Sequence, residues 1–130
     1  MSTSGRARIL VIDDDPLARE ILSRRLHAAG YEVLLEAEGG AGLWRAKRER
    51  PDLIICDLHM PLAPGELVIL ALRDDPTTAS IPLLVVSADP GRLGPEHHVD
   101  AVLAKPVDAP TLLATVRRLL GEGFHPVSTG

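Results

Sequence analysis

At 130 residues, 45% hydrophobic and 25% charged, the chain has the make-up of one ordinary globular domain, large enough to bury about two thirds of the surface its unfolded form exposes. Its net charge of −4 gives no basic footprint for nucleic acid, and no apolar stretch approaches the ~20 residues that span a bilayer. A single cysteine, Cys56, supports neither a disulfide framework nor a zinc site, and the opening MSTSGRAR lacks the apolar core of a signal peptide, so the chain reads as cytoplasmic.

Apolar runs alternate with segments of helical period. Arg8–Ile12 is a compact first strand. Asp15-Pro16 then opens a helix, with an acid at the N-cap and proline at the first helical position. Leu17, Ile21, Leu22 and Leu26 recur at helical spacing, and Gly30 ends that helix. Tyr31–Glu36 reads as the second strand. Gly39–Gly42 leads into a helix carrying Leu43, Trp44, Ala46 and Lys47, with Trp44 at a core position, and Pro51 stops it. Asp52–Cys56 is the third strand, apolar on both faces from Leu53 to Cys56, as a central parallel strand should be. The loop Leu58–Pro64 leads to a helix over Gly65–Arg73. Ile81–Val86 and Val99–Ala104 are strands, and Ala109–Leu120 is the last helix, with Asp108 as its N-cap.

Between Ser87 and Val99 the sequence ADPGRLGPEHH holds two prolines and two glycines, which supports only a short or irregular fourth helix. The strand–helix unit repeated five times implies a parallel sheet covered on both faces. Residues 1–7 read as a flexible N-terminus, 8–121 as the domain and 122–130 as a flexible tail.

Open sheets of this kind bind ligands at the carboxyl ends of their strands. Four strands here end in polar residues: Asp13-Asp14, Asp57, Ser87 and Lys105. Gathered on one edge, they make a pocket of three carboxylates, a hydroxyl and an ammonium. Two like charges ~4 Å apart repel by about 4 kcal/mol at an effective dielectric of ~20, so without a cation at least one of the acids should resist ionisation. Bound Mg²⁺ removes that conflict, because it takes hard oxygen ligands and keeps waters that a phosphate can displace. Lys105 adds a second positive charge. Each of these residues alone has a plain explanation in caps and loops; their joint placement points to a metal and phosphoryl site.

With these residues in place, the chain closely resembles the receiver domain of bacterial two-component response regulators. The resemblance rests on ILVIDDDP (Ile9–Pro16), PDLIICDLHMP (Pro51–Pro61), Gly65, IPLLVVSA (Ile81–Ala88) and AKP (Ala104–Pro106), and covers roughly Arg8 to Leu120. It implies a flavodoxin-like three-layer sandwich, a five-stranded parallel sheet in order 2-1-3-4-5. It implies that Asp57 is the phosphoacceptor, attacking a phosphohistidine on a histidine kinase or histidine phosphotransfer protein. Asp14 would ligate Mg²⁺ directly, Asp13 mainly through water, and Asp57 and the backbone carbonyl of His59 would complete the protein's share. Lys105 would pair with the phosphoryl oxygens, Ser87 would donate its hydroxyl to one of them, and the Lys105–Pro106 peptide would be cis. Such a domain relays a signal to a downstream protein target, without nucleic acid or membrane, and catalyses only its own phosphorylation and dephosphorylation.

The sequence departs from the family in places. Many receivers carry Tyr or Phe where Val102 stands, and valine has no ring to turn inward when the hydroxyl residue moves. The stretch from Ser87 to Lys105 is several residues short, and Pro64 stands where an acid is more usual. His59 and Asp89 occupy positions that tune the phosphoryl lifetime in relatives. Two rival readings stand beside the receiver: a pseudo-receiver that binds partners without phosphorylation, and a small flavodoxin-like hydrolase or flavin protein. The latter lacks a Gly-rich phosphate loop, since Asp13–Pro16 fills that place with negative charge. The chain is either a stand-alone regulator or the receiver of a longer protein. His97-His98 read as solvated, His27 as surface, Cys56 as a small buried hydrophobe, and Arg45, Lys47, Arg48 and Arg50 as a solvated helix face.

Overall fold

The computed structural model describes residues 6–121. The tail 122–130 and all but the last two residues of the expected flexible N-terminus lie outside the described residues. The chain forms β1 (Arg8–Ile12), α1 (Pro16–Ala28), β2 (Glu32–Glu36), α2 (Gly39–Glu49), β3 (Leu53–Cys56), α3 (Gly65–Asp74), β4 (Leu83–Ser87), a 3₁₀ turn (Pro90–Arg92), β5 (Ala101–Ala104) and α4 (Ala109–Leu119). The strands are parallel and ordered β2-β1-β3-β4-β5, which is the flavodoxin-like arrangement expected.

The sheet divides the apolar residues between two cores because successive side chains on a strand point to opposite faces. Ile9, Val11, Leu53, Ile55, Leu84 and Val86 join Leu22 and Leu26 of α1 and Leu112 and Val116 of α4 on one side. Leu10, Ile12, Ile54, Cys56, Leu83 and Val85 join Ala46 of α2 and Val68, Ile69 and Leu72 of α3 on the other. Each such leucine, isoleucine or valine contributes about 1.5–3 kcal/mol on full burial. This two-sided demand is why β3 and β4 read as unbroken apolar runs.

The helix signals act as expected. Asp15 caps α1 by accepting the Leu17 N–H at 3.0 Å, with Pro16 in the first turn. Gly30 takes up the turn after α1 at φ 98°, in the left-handed region that favours glycine. Asp108 caps α4 through the Thr111 N–H at 2.7 Å. The fourth crossover is reduced to the single 3₁₀ turn, as its prolines and glycines require.

Some expectations need correction. β4 begins at Leu83, two residues late, because Pro82 has no N–H to donate; its carbonyl still accepts the Ile54 N–H at 3.0 Å. That strand also runs through Ser87 itself. β5 begins at Ala101, since Asp100 uses its carboxylate to accept the Leu83 N–H at 2.8 Å. Trp44 is not core: it is 65% exposed. The buried positions of α2 are Gly39, Gly42 and Ala46, whose small size lets the helix sit close to the sheet and turns Trp44 outward. The basic face of α2 is not simply solvated either, for Arg45 pairs with Glu36 at 2.9 Å and Lys47 with Asp75 at 3.2 Å. His97 is folded into its loop, its side chain 7% exposed and its Nδ1 accepting the Gly94 N–H at 2.9 Å. His27 is at the surface and Cys56 is buried.

Candidate functional site

The strand ends converge. Asp13 extends the β1 ladder by one residue, its N–H donating to the Glu36 carbonyl at 3.1 Å, and its side chain is nearly buried. Asp57 does the same after β3, its N–H donating to the Ile12 carbonyl at 3.0 Å. The sheet therefore fixes both carboxylates before any side-chain contact is made. Asp57 Oδ1 accepts the N–H groups of Leu58 at 2.7 Å and His59 at 3.3 Å, which sets the plane of the carboxylate. Asp13 Oδ1 accepts the Asp15 N–H at 3.0 Å. Carboxylate oxygens of Asp13, Asp14 and Asp57 all lie within 4.8 Å of one another.

Lys105 closes the group from β5. Its N–H donates to the Ser87 carbonyl at 2.9 Å, and its Nζ reaches Asp13 Oδ2 at 2.9 Å and Asp57 Oδ2 at 3.3 Å. The following Lys105–Pro106 peptide is cis. Ser87 is fully buried at the end of β4, and its Oγ accepts the Asp89 N–H at 3.0 Å. His59, two residues past Asp57, is exposed. The structure thus brings together the side chains of Asp13, Asp14, Asp57 and Lys105, with the His59 amide on Asp57 and Ser87 joined to Lys105 through its backbone carbonyl.

The electrostatics follow from this packing. Burial pushes the Asp13 carboxyl above its ordinary pKa, against the lowering effect of the Lys105 and Asp15 hydrogen bonds, and the charge of Asp57 pushes it further. An acid that resists ionisation is what the crowded carboxylates implied, though burial rather than like charge is the larger cause. Burial opposes the charged form of Lys105, but Asp13 and Asp57 outweigh it and hold its pKa above the usual lysine value. Burial, with the nearby charges of Asp57, Asp13 and Glu66, raises the Cys56 thiol, so it stays protonated and inert. Three clustered carboxylates against one ammonium leave the pocket negative, and their hard oxygens suit a divalent cation of the Mg²⁺ kind.

The structure gives the reason for one glycine named in the sequence and adds one residue that the sequence did not show. Gly65 opens α3 so close to Asp57 that a Cβ there would collide with the Asp57 carbonyl oxygen and come within 2.7 Å of Leu58 Cα. Arg92 lines a pocket of about 320 Å³ with Asp14, His59, Met60, Pro61 and Pro64, and is held by Glu66 at 2.7 and 2.8 Å. No sequence pattern links positions so far apart in the chain.

A flavodoxin-like sheet with an acidic, metal-competent pocket at its strand ends defines the class. Within it, the family model for the response regulator receiver domain matches residues 9–117, and the chain belongs to that family. It is a signalling domain of two-component systems, whose members are phosphorylated on an aspartate and work with histidine kinases and downstream effectors. The chain is 41% identical over 118 residues to the DNA-binding dual master transcriptional regulator RpaA of Synechocystis, covering 87% of this chain but only 48% of RpaA. It is 34% identical over 118 residues to Protein PilH of Pseudomonas aeruginosa, covering 88% of this chain and 98% of PilH. The receiver domain of sensor histidine kinase PA1611 from Pseudomonas aeruginosa superposes with a TM-score of 0.84 at 25% identity, over 90% of this chain and 99% of that one, and its crystal structure holds magnesium in the active site cleft. Among the described residues no helix is long and apolar enough to cross a membrane.

Proposed function

We propose that Asp57 is the phosphoacceptor of this receiver, taking a phosphoryl group from a phosphohistidine on a histidine kinase or histidine phosphotransfer protein in the cytoplasm and relaying the signal to a downstream protein. The observation that carries this is the convergence of Asp57 with Asp13, Asp14 and Lys105 at one sheet edge. Asp13, Asp14, Asp57 and the His59 backbone carbonyl would hold Mg²⁺, which supplies charge neutralisation for the phosphoryl oxygens when bound.

The chain's own residues do the rest. The Leu58 and His59 amides fix the Asp57 carboxylate against rotation. A carboxylate oxygen attacks phosphorus, the new O–P bond replaces the P–N bond, and the electron pair stays with the imidazole nitrogen. Lys105, already 3.3 Å from Oδ2, offsets the charge that arrives on the phosphoryl oxygens. Ser87 donates its hydroxyl to one of them. Positioning and charge carry the catalysis, as for phosphoryl transfer generally, and the domain catalyses only the gain and loss of its own phosphoryl group.

Incubation with Mg²⁺ and acetyl phosphate, followed by intact mass, tests this. One phosphoryl adduct is expected on the wild type and none on Asp57→Asn; an adduct that persists in the variant would move the acceptor elsewhere. A pseudo-receiver, binding its partner without phosphorylation, is the second reading. It is favoured by Val102, 38% exposed where many receivers carry an aromatic, and by the reduced fourth crossover. Absence of any adduct would select it.

A further inference from the structure

Among the described residues, Arg92 is the one arginine or lysine lining the pocket that Asp14 and His59 share. Its guanidinium is not spent on the carboxylate cluster. It forms a fork with Glu66 of α3, Nε to Oε2 at 2.7 Å and Nη2 to Oε1 at 2.8 Å, with the two side chains 28% and 18% exposed. Arg92 ends the 3₁₀ turn that stands in place of the fourth helix. Its N–H donates to the Asp89 carbonyl at 3.3 Å, and the Asp89 N–H donates to Ser87 Oγ at 3.0 Å. One short segment therefore joins the buried hydroxyl of Ser87 to the Arg92–Glu66 fork.

Charge decides what this cation can do. Three carboxylates and one ammonium give the pocket two net negative charges, which a divalent cation cancels. Turning the Asp57 carboxylate into an acyl phosphate dianion adds one more. Lys105 is already shared between Asp13 and Asp57. The planar guanidinium fork that fits a carboxylate also fits two phosphoryl oxygens.

We propose that Arg92 is the phosphoryl-binding readout residue of this domain, leaving Glu66 for the phosphoryl oxygens on Asp57 and drawing the 3₁₀ turn with it. The inference rests on Asp57 accepting a phosphoryl group. It supplies a route that Val102 cannot, having no ring to turn. Ser87 reinforces the movement, because a hydroxyl can donate to a phosphoryl oxygen while its lone pair still accepts the Asp89 N–H. Glu66 is the competitor that holds the arginine back in the resting state.

The test is an equilibrium titration with Mg²⁺ and beryllium trifluoride, which adds to an aspartate carboxylate with the shape and charge of a phosphoryl group. Binding is followed by NMR, including the Arg92 Nε–H signal. Arg92→Gln should weaken binding about tenfold, the loss of one charge-assisted hydrogen bond, and Arg92→Lys should fall between it and the wild type. Glu66→Gln should tighten binding, because it releases the arginine. A fork that only supports the fold moves both variants in the same direction, and that result, or an Arg92 signal unmoved by the ligand, overturns the inference. If the wild type takes neither beryllium trifluoride nor the acetyl phosphate adduct, the assignment of Asp57 falls, and the role of Arg92 with it. A normal adduct with Glu66→Gln binding no tighter than wild type overturns the role of Arg92 alone.

Discussion

The strand-end edge and the fourth crossover meet at Ser87, and they are held by different means. At the edge, Asp13 and Asp57 are placed by backbone hydrogen bonds that continue the sheet, above strands whose core residues are almost wholly buried. From Asp89 to His98 the backbone bonds of the crossover are local, Arg92 to Asp89 and Leu93 to Pro90 at 3.3 Å each and His97 to Gly94 at 3.0 Å. Asp100, at the threshold of β5, reaches back to the sheet at Leu83. Side chains do much of the holding there, through the Arg92–Glu66 fork and the His97 ring on Gly94. Chemistry that needs fixed positions sits on the part of the fold least able to move. The segment suited to reporting it is tied by contacts that can be exchanged one at a time.

Core truncation should separate the two regions most sharply. Ile54 is fully buried in β3, three residues before Asp57, so Ile54→Ala should cost about 2–5 kcal/mol. Leu93, partly buried where the crossover packs on the same core, should cost about 1 kcal/mol as alanine. Urea unfolding of both variants measures the difference. Equal losses would mean that the crossover is as integral to the fold as the sheet, and the contrast would fail.

Gly65→Ala probes the edge itself. A Cβ there meets the Asp57 carbonyl oxygen and Leu58 Cα, both backbone atoms that cannot swing aside. Overpacking of this kind costs about 1–3 kcal/mol, and it should also slow adduct formation with acetyl phosphate because the Asp57 backbone must shift. Gly40→Ala, in α2 with nothing within 4 Å of its Cβ, is the matched control and should leave both measurements unchanged or slightly improved.

What could be read from the sequence follows the same division. The unbroken apolar run Leu53–Cys56 revealed a central parallel strand because both its faces are buried, and the polar residue after it had to emerge at the sheet edge. Asp13, Asp14, Ser87 and Lys105 could be placed by the same reasoning. Trp44 could not, because its direction depends on how closely Gly39, Gly42 and Ala46 let α2 approach the sheet. His97 and the Arg92–Glu66 fork depend on where an irregular segment comes to rest, which no periodicity encodes. Backbone-determined positions are legible in sequence, whereas positions set by side-chain contacts across the fold are not.

The smallest expected effect lies just past the edge, where Asp108 starts α4. Its carboxylate accepts the Thr111 N–H at 2.7 Å, and that backbone bond, aided by the Thr111 side chain and by the charge of Arg25, holds its pKa below the usual aspartate value of 3.8. A depressed carboxyl contributes stability that is present above the unfolded value and is lost as pH falls through the folded one. Asparagine can keep the cap but cannot titrate. Asp108→Asn should therefore melt slightly below the wild type at neutral pH, and the gap should close as the solution is made more acidic than the folded pKa. Melting temperatures taken from pH ~7 down to ~2 check this. A constant gap across that range would mean that cap geometry alone, and not charge, stabilises the start of α4. The helix that closes the β5 side would then be held, like the edge, by backbone geometry.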